Sequence, residues 1–369
     1  MRTIHTVVAL SLLAGTLESA MALPRFASAT GAKCQACHVN PTGGGMRQSF
    51  GLQYGREKLP VPEWSSGLEL TDITTLVTNY LGFGADFRTL YFVRQQPDAA
   101  AANQFWQMEG NLYVNFRPAN KVNIYLSKGL YSGFEIFGLL NVLPSNGHVK
   151  IGKFVPGFGL KLDDHTVYVR TMTGFSPTDG RTELTGVEAG IAPGRFTVLG
   201  GFYNSADGLG LAGSYKAYLV RLQGEFPLSD EMSLAAGVNL FGGKNLFGKR
   251  ALDAPLQIYY GGFASFRYGR FSVLGELDLL QAKTSTTVQS LVAYAECNYL
   301  VTQGVTLKAA YDFYDRDTDL KTGKNVRYSL GVDVFPLPGV EALPIYRLTR
   351  DDAVGKNMSE FNLVLHFFI

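Results

Sequence analysis

From about Tyr80 onward the chain repeats segments of roughly ten residues in which apolar and polar positions alternate with a period of two. In NLYVNF, Leu112, Val114 and Phe116 share one face, while Asn111, Tyr113 and Asn115 share the other. Val122, Ile124 and Leu126 oppose Asn123, Tyr125 and Ser127 in the same way. The pattern returns in SLAAGVNL, where Leu234, Val238 and Leu240 oppose Ser233 and Asn239. It returns again in VTLKAAYDFY, with Val305 and Leu307 against Thr306 and Lys308, and in VRYSLGVDV, with Tyr328, Leu330 and Val332 against Arg327, Ser329 and Asp333. Such alternation is that of β-strands, whose successive side chains point to opposite faces. Turn-forming clusters (RPANK, LPSNG, APGR, PLSDE, RYGR) separate the stretches, and their spacing predicts about 14 to 16 strands.

Periodicity does not say which face meets water. In a soluble sandwich the apolar stripe points inward; in an outer-membrane antiparallel β-barrel it points to lipid. Three features favour the barrel. A single soluble sandwich rarely needs this many strands, and closure removes exposed edges. Short turns such as APGR and RYGR alternate with longer connections such as FGGKNLFGKRALDAP. The C-terminus, SEFNLVLHFFI, places Phe361, Leu363, Leu365, Phe367 and Ile369 on one apolar face that runs to the last residue, which resembles the terminal strand of bacterial outer-membrane proteins. Composition agrees. Charged residues make up only 17%, while 42 Gly, 25 Phe and 19 Tyr suit tight turns and aromatic girdles. A net charge of +2 gives no ground for a nucleic-acid partner.

The N-terminus reads as a secretory signal over residues 1–22: Arg2 and His5, the apolar core VVALSLLAG, then the small-x-small AMA, with the mature chain expected to start at Leu23. The core is too short to span a bilayer as a helix. Residues 23–65 then form a short segment before the strand-rich 66–369. This segment holds CQACH, in which Cys34, Cys37 and His38 have the c-type haem attachment pattern. Two thiols at this spacing add to the two vinyl groups of one porphyrin, and the adjacent imidazole reaches the iron. A thioredoxin-like dithiol would want a βαβ context and a zinc site a second ligand pair; the sequence offers neither. One covalent haem c is therefore expected. Cys297 reads as an unpaired strand residue.

The haem segment has little apolar material with which to shield a porphyrin, and it is broken by Pro41, Gly43, Gly44, Gly45, Pro60 and Pro62. The remaining shielding must come from elsewhere, and the barrel lumen is the nearest candidate. The expected architecture is thus an all-β outer-membrane barrel with a short N-terminal c-type haem-binding plug.

The stretch LPRFASATGAKCQACHVNPTGGGMRQSFGLQYG, Leu23 to Gly55, followed by a porin-like chain, resembles the fused outer-membrane monohaem cytochrome–porins of iron-oxidising bacteria. The matching features are Pro24 to Ala27, Thr30-Gly31, Cys34, Cys37, His38 and Phe50-Gly51; the rest is alike in architecture only. The resemblance implies a barrel of about 16 strands and electron transfer from extracellular Fe(II), or another redox partner outside, inward to a periplasmic electron-carrier cytochrome. Fe(II) oxidase activity would follow from it.

The second axial ligand is open at this point. Met46 would have to loop over the opposite haem face, which the triple glycine allows. His148 follows the PSNG turn, where it could be solvent-exposed, and His366 sits on the polar face of the last strand. The best context is that of His165 in KIGKFVPGFGLKLDDHTVYVR. There a strand breaks at Pro156 and passes Gly157 and Gly159 before Asp163-Asp164-His165. The GKFVPGFGL part resembles a segment of phosphate-type porins, in which the third loop folds into the pore. Asp163 or Asp164 is expected to accept the other ring N–H. Three functions compete: an electron conduit, a diffusion porin with an appended periplasmic haem segment, and a soluble periplasmic monohaem cytochrome with a large β domain.

Overall fold

A computed structural model of the chain describes residues 25–66, 74–95, 97, 100–130, 133–176, 182–205, 215–248, 255–352 and 355–369. The expected signal peptide lies outside these residues. Sixteen strands, from β1 (Leu81–Gln95) to β16 (Lys356–Phe368), form one closed antiparallel barrel. Each strand pairs with its neighbours in sequence, and β1 pairs with β16 to close the sheet, Asp86 opposite Phe368 and Gln95 opposite Ser359. The count lies at the upper end of the range expected from turn spacing.

The alternation seen in the sequence fixes the two faces. Leu112, Ile124, Val238, Leu240, Leu307 and Leu330 are exposed on the outside, whereas Asn111, Asn123, Asn239, Thr306 and Arg327 are buried inside. This polarity is the reverse of a soluble barrel and suits hydrocarbon outside. Exposed aromatics form two bands. Phe105, Trp106, Tyr218, Tyr260 and Tyr328 lie toward the long-loop end, and Phe116, Phe196, Tyr268, Phe271, Tyr299 and Phe367 toward the short-turn end. Cys297 sits on this outer face, in register with Val273 and Ala309. The short turns gather at one end: β10 (Leu256–Tyr268) meets β11 (Phe271–Lys283) across two residues, as do β12 (Thr287–Thr302) and β13 (Val305–Asp315).

Two segments enter the lumen. The first is the N-terminal plug, with short helices α1 (Arg25–Thr30), α2 (Cys34–Cys37), α3 (Ser49–Glu57) and α4 (Pro62–Ser65). The second is the connection between β5 (Gly147–Phe154) and β6 (Leu184–Ile191), which carries a one-turn helix, α5 (Tyr168–Thr171).

On this arrangement Leu222→Arg, in the middle of the outer face, should destabilise the barrel by about 2–4 kcal/mol. Urea unfolding from lipid vesicles measures it, and unchanged stability would contradict a lipid-facing position. The wild-type barrel should also migrate differently on gels with and without heating.

Candidate haem and redox site

The plug is built around the two cysteines. Gln48 staples their helix from the side: its backbone N–H donates to Cys37 O at 2.8 Å, and its Nε2 donates to Gln35 O at 2.9 Å and His38 O at 2.8 Å. Helix α3 then lies against α2 so closely that a Cβ on Gly51 would stand 2.4 Å from Cys37 O. This is the physical reason for the Phe50-Gly51 pair singled out in the sequence. Gly45 has φ +66° and faces the Tyr125 hydroxyl, which a Cβ would meet at 2.3 Å. The hydroxyl in turn accepts the Met46 N–H at 3.2 Å. The glycine run therefore lets the plug backbone press onto the barrel wall.

Cys34 and Cys37 both carry thiols, and burial pushes both up from the ordinary thiol value. Burial first, and Arg47 second, lower His38 to about 4, so its imidazole is neutral at pH 7. Its Nδ1 lies 3.3 Å from Gly45 O. That bond holds the proton on Nδ1 and leaves the Nε2 lone pair for a metal, the arrangement usual for a ligating histidine.

The β5–β6 connection crosses the lumen and is sewn to distant strands. Gly157 N–H donates to Glu188 at 3.0 Å, and Leu160 N–H to Glu276 at 2.7 Å. Asp164 pairs with Arg347 at 2.5 Å, and Tyr168 N–H donates to Asp312 at 2.8 Å. Thr166 O accepts from Arg327 at 3.0 Å. The in-pore loop expected from GKFVPGFGL is thus present.

Plug and loop meet across one cavity with about 1720 Å³ of empty space, continuous with the lumen. Its walls include Cys34, Cys37 and His38 from the plug and Lys161, His165 and Arg170 from the loop. His165 is buried; burial, then Arg88 and Arg170, hold its imidazole well below the usual histidine value. Its Nε2 accepts from Arg88 Nη1 at 3.1 Å, and its Nδ1 has no hydrogen-bond partner but stands 3.7 Å from Glu109 Oε2. The expected orienting aspartates do not take this role. Asp164 is held by Thr166 and Arg347, and it is the Asp163 backbone carbonyl, accepting from Arg88, that lies beside the ring.

The other candidate ligands fare differently. Met46 is buried at 1% exposure, packs toward Gly82 and Gly84 in the barrel wall, and does not line the cavity. His148 is buried rather than solvent-exposed, and lines a smaller adjoining space with Cys34. His366 does point into the cavity, but both ring nitrogens are taken: Nδ1 by Glu341 at 2.7 Å and Nε2 by Asp86 at 3.0 Å. Two acceptor-only partners require both nitrogens to donate, so the ring is an imidazolium with no lone pair for iron.

Comparison with solved structures supports the architecture. The chain is similar to the anion-selective porin from Comamonas acidovorans, at 11% identity and a TM-score of 0.58 over 78% of this chain and 99% of that one. It is also similar to OmpT of Vibrio cholerae, at 10% identity and a TM-score of 0.56 over 80% of this chain and all of that one. The barrel has the fold of these outer-membrane porins. At these identities the likeness is one of fold alone. No protein-family model and no curated protein matches the chain.

The donor set suits a c-type haem. Two thiols and a neutral imidazole face the cavity, with a second neutral imidazole in its wall. Lys161 and Arg170 are suited to propionate carboxylates. Among the described residues neither has an ion-pair partner, and Arg170 Nε is buried without a hydrogen bond. Burial first, and the neighbouring Arg170 second, lower Lys161 to about 7. Sequence reasoning missed both cations, and also Arg88 and Glu109, because nothing local marks a lumen-facing charge as part of a site.

Removing the cation between Asp86 and Glu341 should be costly. His366→Ala should destabilise the barrel by about 3 kcal/mol, since it leaves buried carboxylates short of a partner. Chemical unfolding measures the loss; a change below about 0.5 kcal/mol would mean that Arg47 and Arg88 compensate fully.

Proposed function

We propose that this protein is an outer-membrane electron conduit of the fused monohaem cytochrome–porin kind, with one haem c attached through Cys34 and Cys37 and His38 as proximal ligand. The observation that carries the reading is the convergence of CQACH and the buried imidazole of His165 on one cavity. A haem bound there supplies reversible one-electron chemistry at its iron. His38 offers Nε2 while Gly45 O holds its other ring nitrogen. His165 is the distal ligand of choice; ligation through Nε2 would take the place of the Arg88 contact and leave Nδ1–H facing Glu109. Leu162, Val155, Phe26 and Phe175 supply apolar walls that keep water from the ring.

Distance gives the barrel a purpose in this reading. The apolar band of such barrels is about 25 Å tall. A redox centre inside the lumen divides that span between two shorter transfers. The donor is extracellular Fe(II) or another redox partner outside, and a periplasmic electron-carrier cytochrome receives the electron inside. With iron as donor the protein acts as an Fe(II) oxidase. The likeness to porins favours a second reading, a diffusion porin whose haem segment is an appendage. Permeability separates the two: a conduit with plug and loop across its lumen conducts small solutes poorly. The apolar outer face speaks against a soluble periplasmic cytochrome.

Haem staining of a denaturing gel tests attachment. Cys34→Ala and Cys37→Ala each weaken the stain and the double change abolishes it; undiminished stain in the double variant would refute the assignment. His165→Ala should leave the stain intact and alter the near-infrared and magnetic-resonance spectra of the oxidised protein. Met46→Leu should leave both unchanged. A His/Met signature in the wild type would remove His165 from the site.

A further inference from the structure

The short-turn mouth of the barrel holds a second space, about 870 Å³, between the plug and the β10–β11 and β12–β13 turns. Arg25, Lys58, Arg267 and Arg270 line it, and among the described residues no aspartate or glutamate does. They come from helix α1, the C-terminal cap of α3, strand β10 and the turn after it. Arg25 is paired with Asp333, and Arg270 donates to Val301 O at 3.0 Å. Among the described residues Lys58 and Arg267 take part in no ion pair. Lys58 and Arg270 are exposed. Phe26, Tyr54, Leu59 and Phe335 line both this groove and the cavity of Cys34, Cys37 and His38. Phe26 meets Tyr54 edge-on at 6.3 Å and Phe335 at 5.9 Å between centroids. One layer of rings separates groove from cavity.

We propose that this basic groove docks an acidic, soluble electron-transfer protein against the aromatic wall of the cavity. The inference rests on the electron-conduit reading and names the surface at which the inner transfer takes place. With Arg25 neutralised by Asp333, the three cations Lys58, Arg267 and Arg270 create a field that steers a negatively charged surface. The groove opens at the short-turn mouth, where Phe271 and Leu300 of its lining reach the outer face. Electron exchange falls steeply with separation, so a partner has to seat where the wall is thinnest. The step balances as one electron: the ferrous iron becomes ferric, and the partner's one-electron centre is reduced.

The test uses the full haem-loaded protein in lipid nanodiscs, with an acidic flavodoxin and the basic mitochondrial cytochrome c as probes. Stopped-flow spectroscopy reads electron exchange, and binding to the immobilised barrel is measured separately. At low ionic strength the acidic probe should bind about tenfold more tightly or more than the basic one, the advantage fading in high salt, and electron exchange with each probe should follow its own binding on charge reversal. Lys58→Glu with Arg267→Glu and Arg270→Glu should reverse the preference without changing the haem spectrum. Lys58→Gln with Arg270→Gln, neutral changes at exposed positions, should give a smaller loss in the same direction. Equal affinities for the two probes, or charge-reversed protein that binds flavodoxin as before, would overturn the proposal. So would displacement of flavodoxin by inorganic phosphate at matched ionic strength, which would mark a free-anion site. If the wild type carries no haem, the conduit reading fails on its own. The binding measurement then still decides the groove: salt-sensitive flavodoxin binding lost on charge reversal upholds it, and no binding sinks it.

Discussion

Everything inside this barrel depends on the pairing of its first and last strands. Ala85 and Ile369 exchange backbone hydrogen bonds at the end of that seam, at 3.3 and 2.9 Å. The seam is also where the plug docks. Arg47 reaches Asp86 on β1 at 3.3 Å and lies over the Phe368 ring on β16, 4.1 Å from its centroid. Met46 beside it packs toward Gly82 and Gly84. His366 and Asp86 join the two strands by side chains as their backbones do. Closure thus creates the surface on which the segment carrying Cys34, Cys37 and His38 is held, and the cavity exists only because the ring is shut.

Turning the apolar face outward has a cost inside. Inward positions such as Asp86, Glu188, Glu276, Lys308 and Arg327 carry buried charges, and each buried charge needs a partner. Strand-to-strand pairs meet part of that need, as in Lys308 with Glu296 at 2.7 Å and Arg327 with Asp312 at 2.8 Å. The rest is met by backbone of the lumen loop: Glu188 takes Gly157, Glu276 takes Leu160, Asp312 takes Tyr168. Buried pairs of this kind add little net stability, but they oppose displacement because breaking one leaves a bare charge. They fix where the loop lies, and hence where His165 stands.

The fold was legible in the sequence because a lipid-facing barrel writes a period of two along every strand, and Leu112 against Asn111 says as much as the coordinates do. The strand count was legible only as a range, because long connections such as that between β9 (Met232–Lys244) and β10 carry no period. CQACH stands out in the sequence because its spacing is local, and the structure adds only that Cys34, Cys37 and His38 line one cavity. The loop histidine could be placed because Pro156, Gly157 and Gly159 break a strand before it. Its partners could not be read. Arg88 and Glu109 lie on β1 and β2 (Ala102–Ala119), far from His165 in sequence, and of the adjacent aspartates Asp164 pairs with Arg347 while Asp163 meets Arg88 through its backbone carbonyl. His148 does follow the PSNG turn, but it is buried rather than solvent-exposed, because covering by a plug from the other end of the chain leaves no mark on its neighbours.

The brevity of the plug follows from the same geometry. A soluble cytochrome must enclose its porphyrin with its own helices. Here α2 and its C-terminal cap present two thiols and an imidazole, while Leu162, Phe175, Phe335 and Phe368 on the loop and strands complete the walls. Much of the chemistry of the site is therefore encoded far from the motif that announces it. A segment this short cannot hold a large cofactor by burial alone, and two covalent links through Cys34 and Cys37 would replace the missing contacts. The link between a small redox motif and a long striped chain is mutual. The motif relies on the barrel for enclosure, and the barrel uses the plug's Arg25 and Arg47 to neutralise Asp333 and Asp86 on its inner wall.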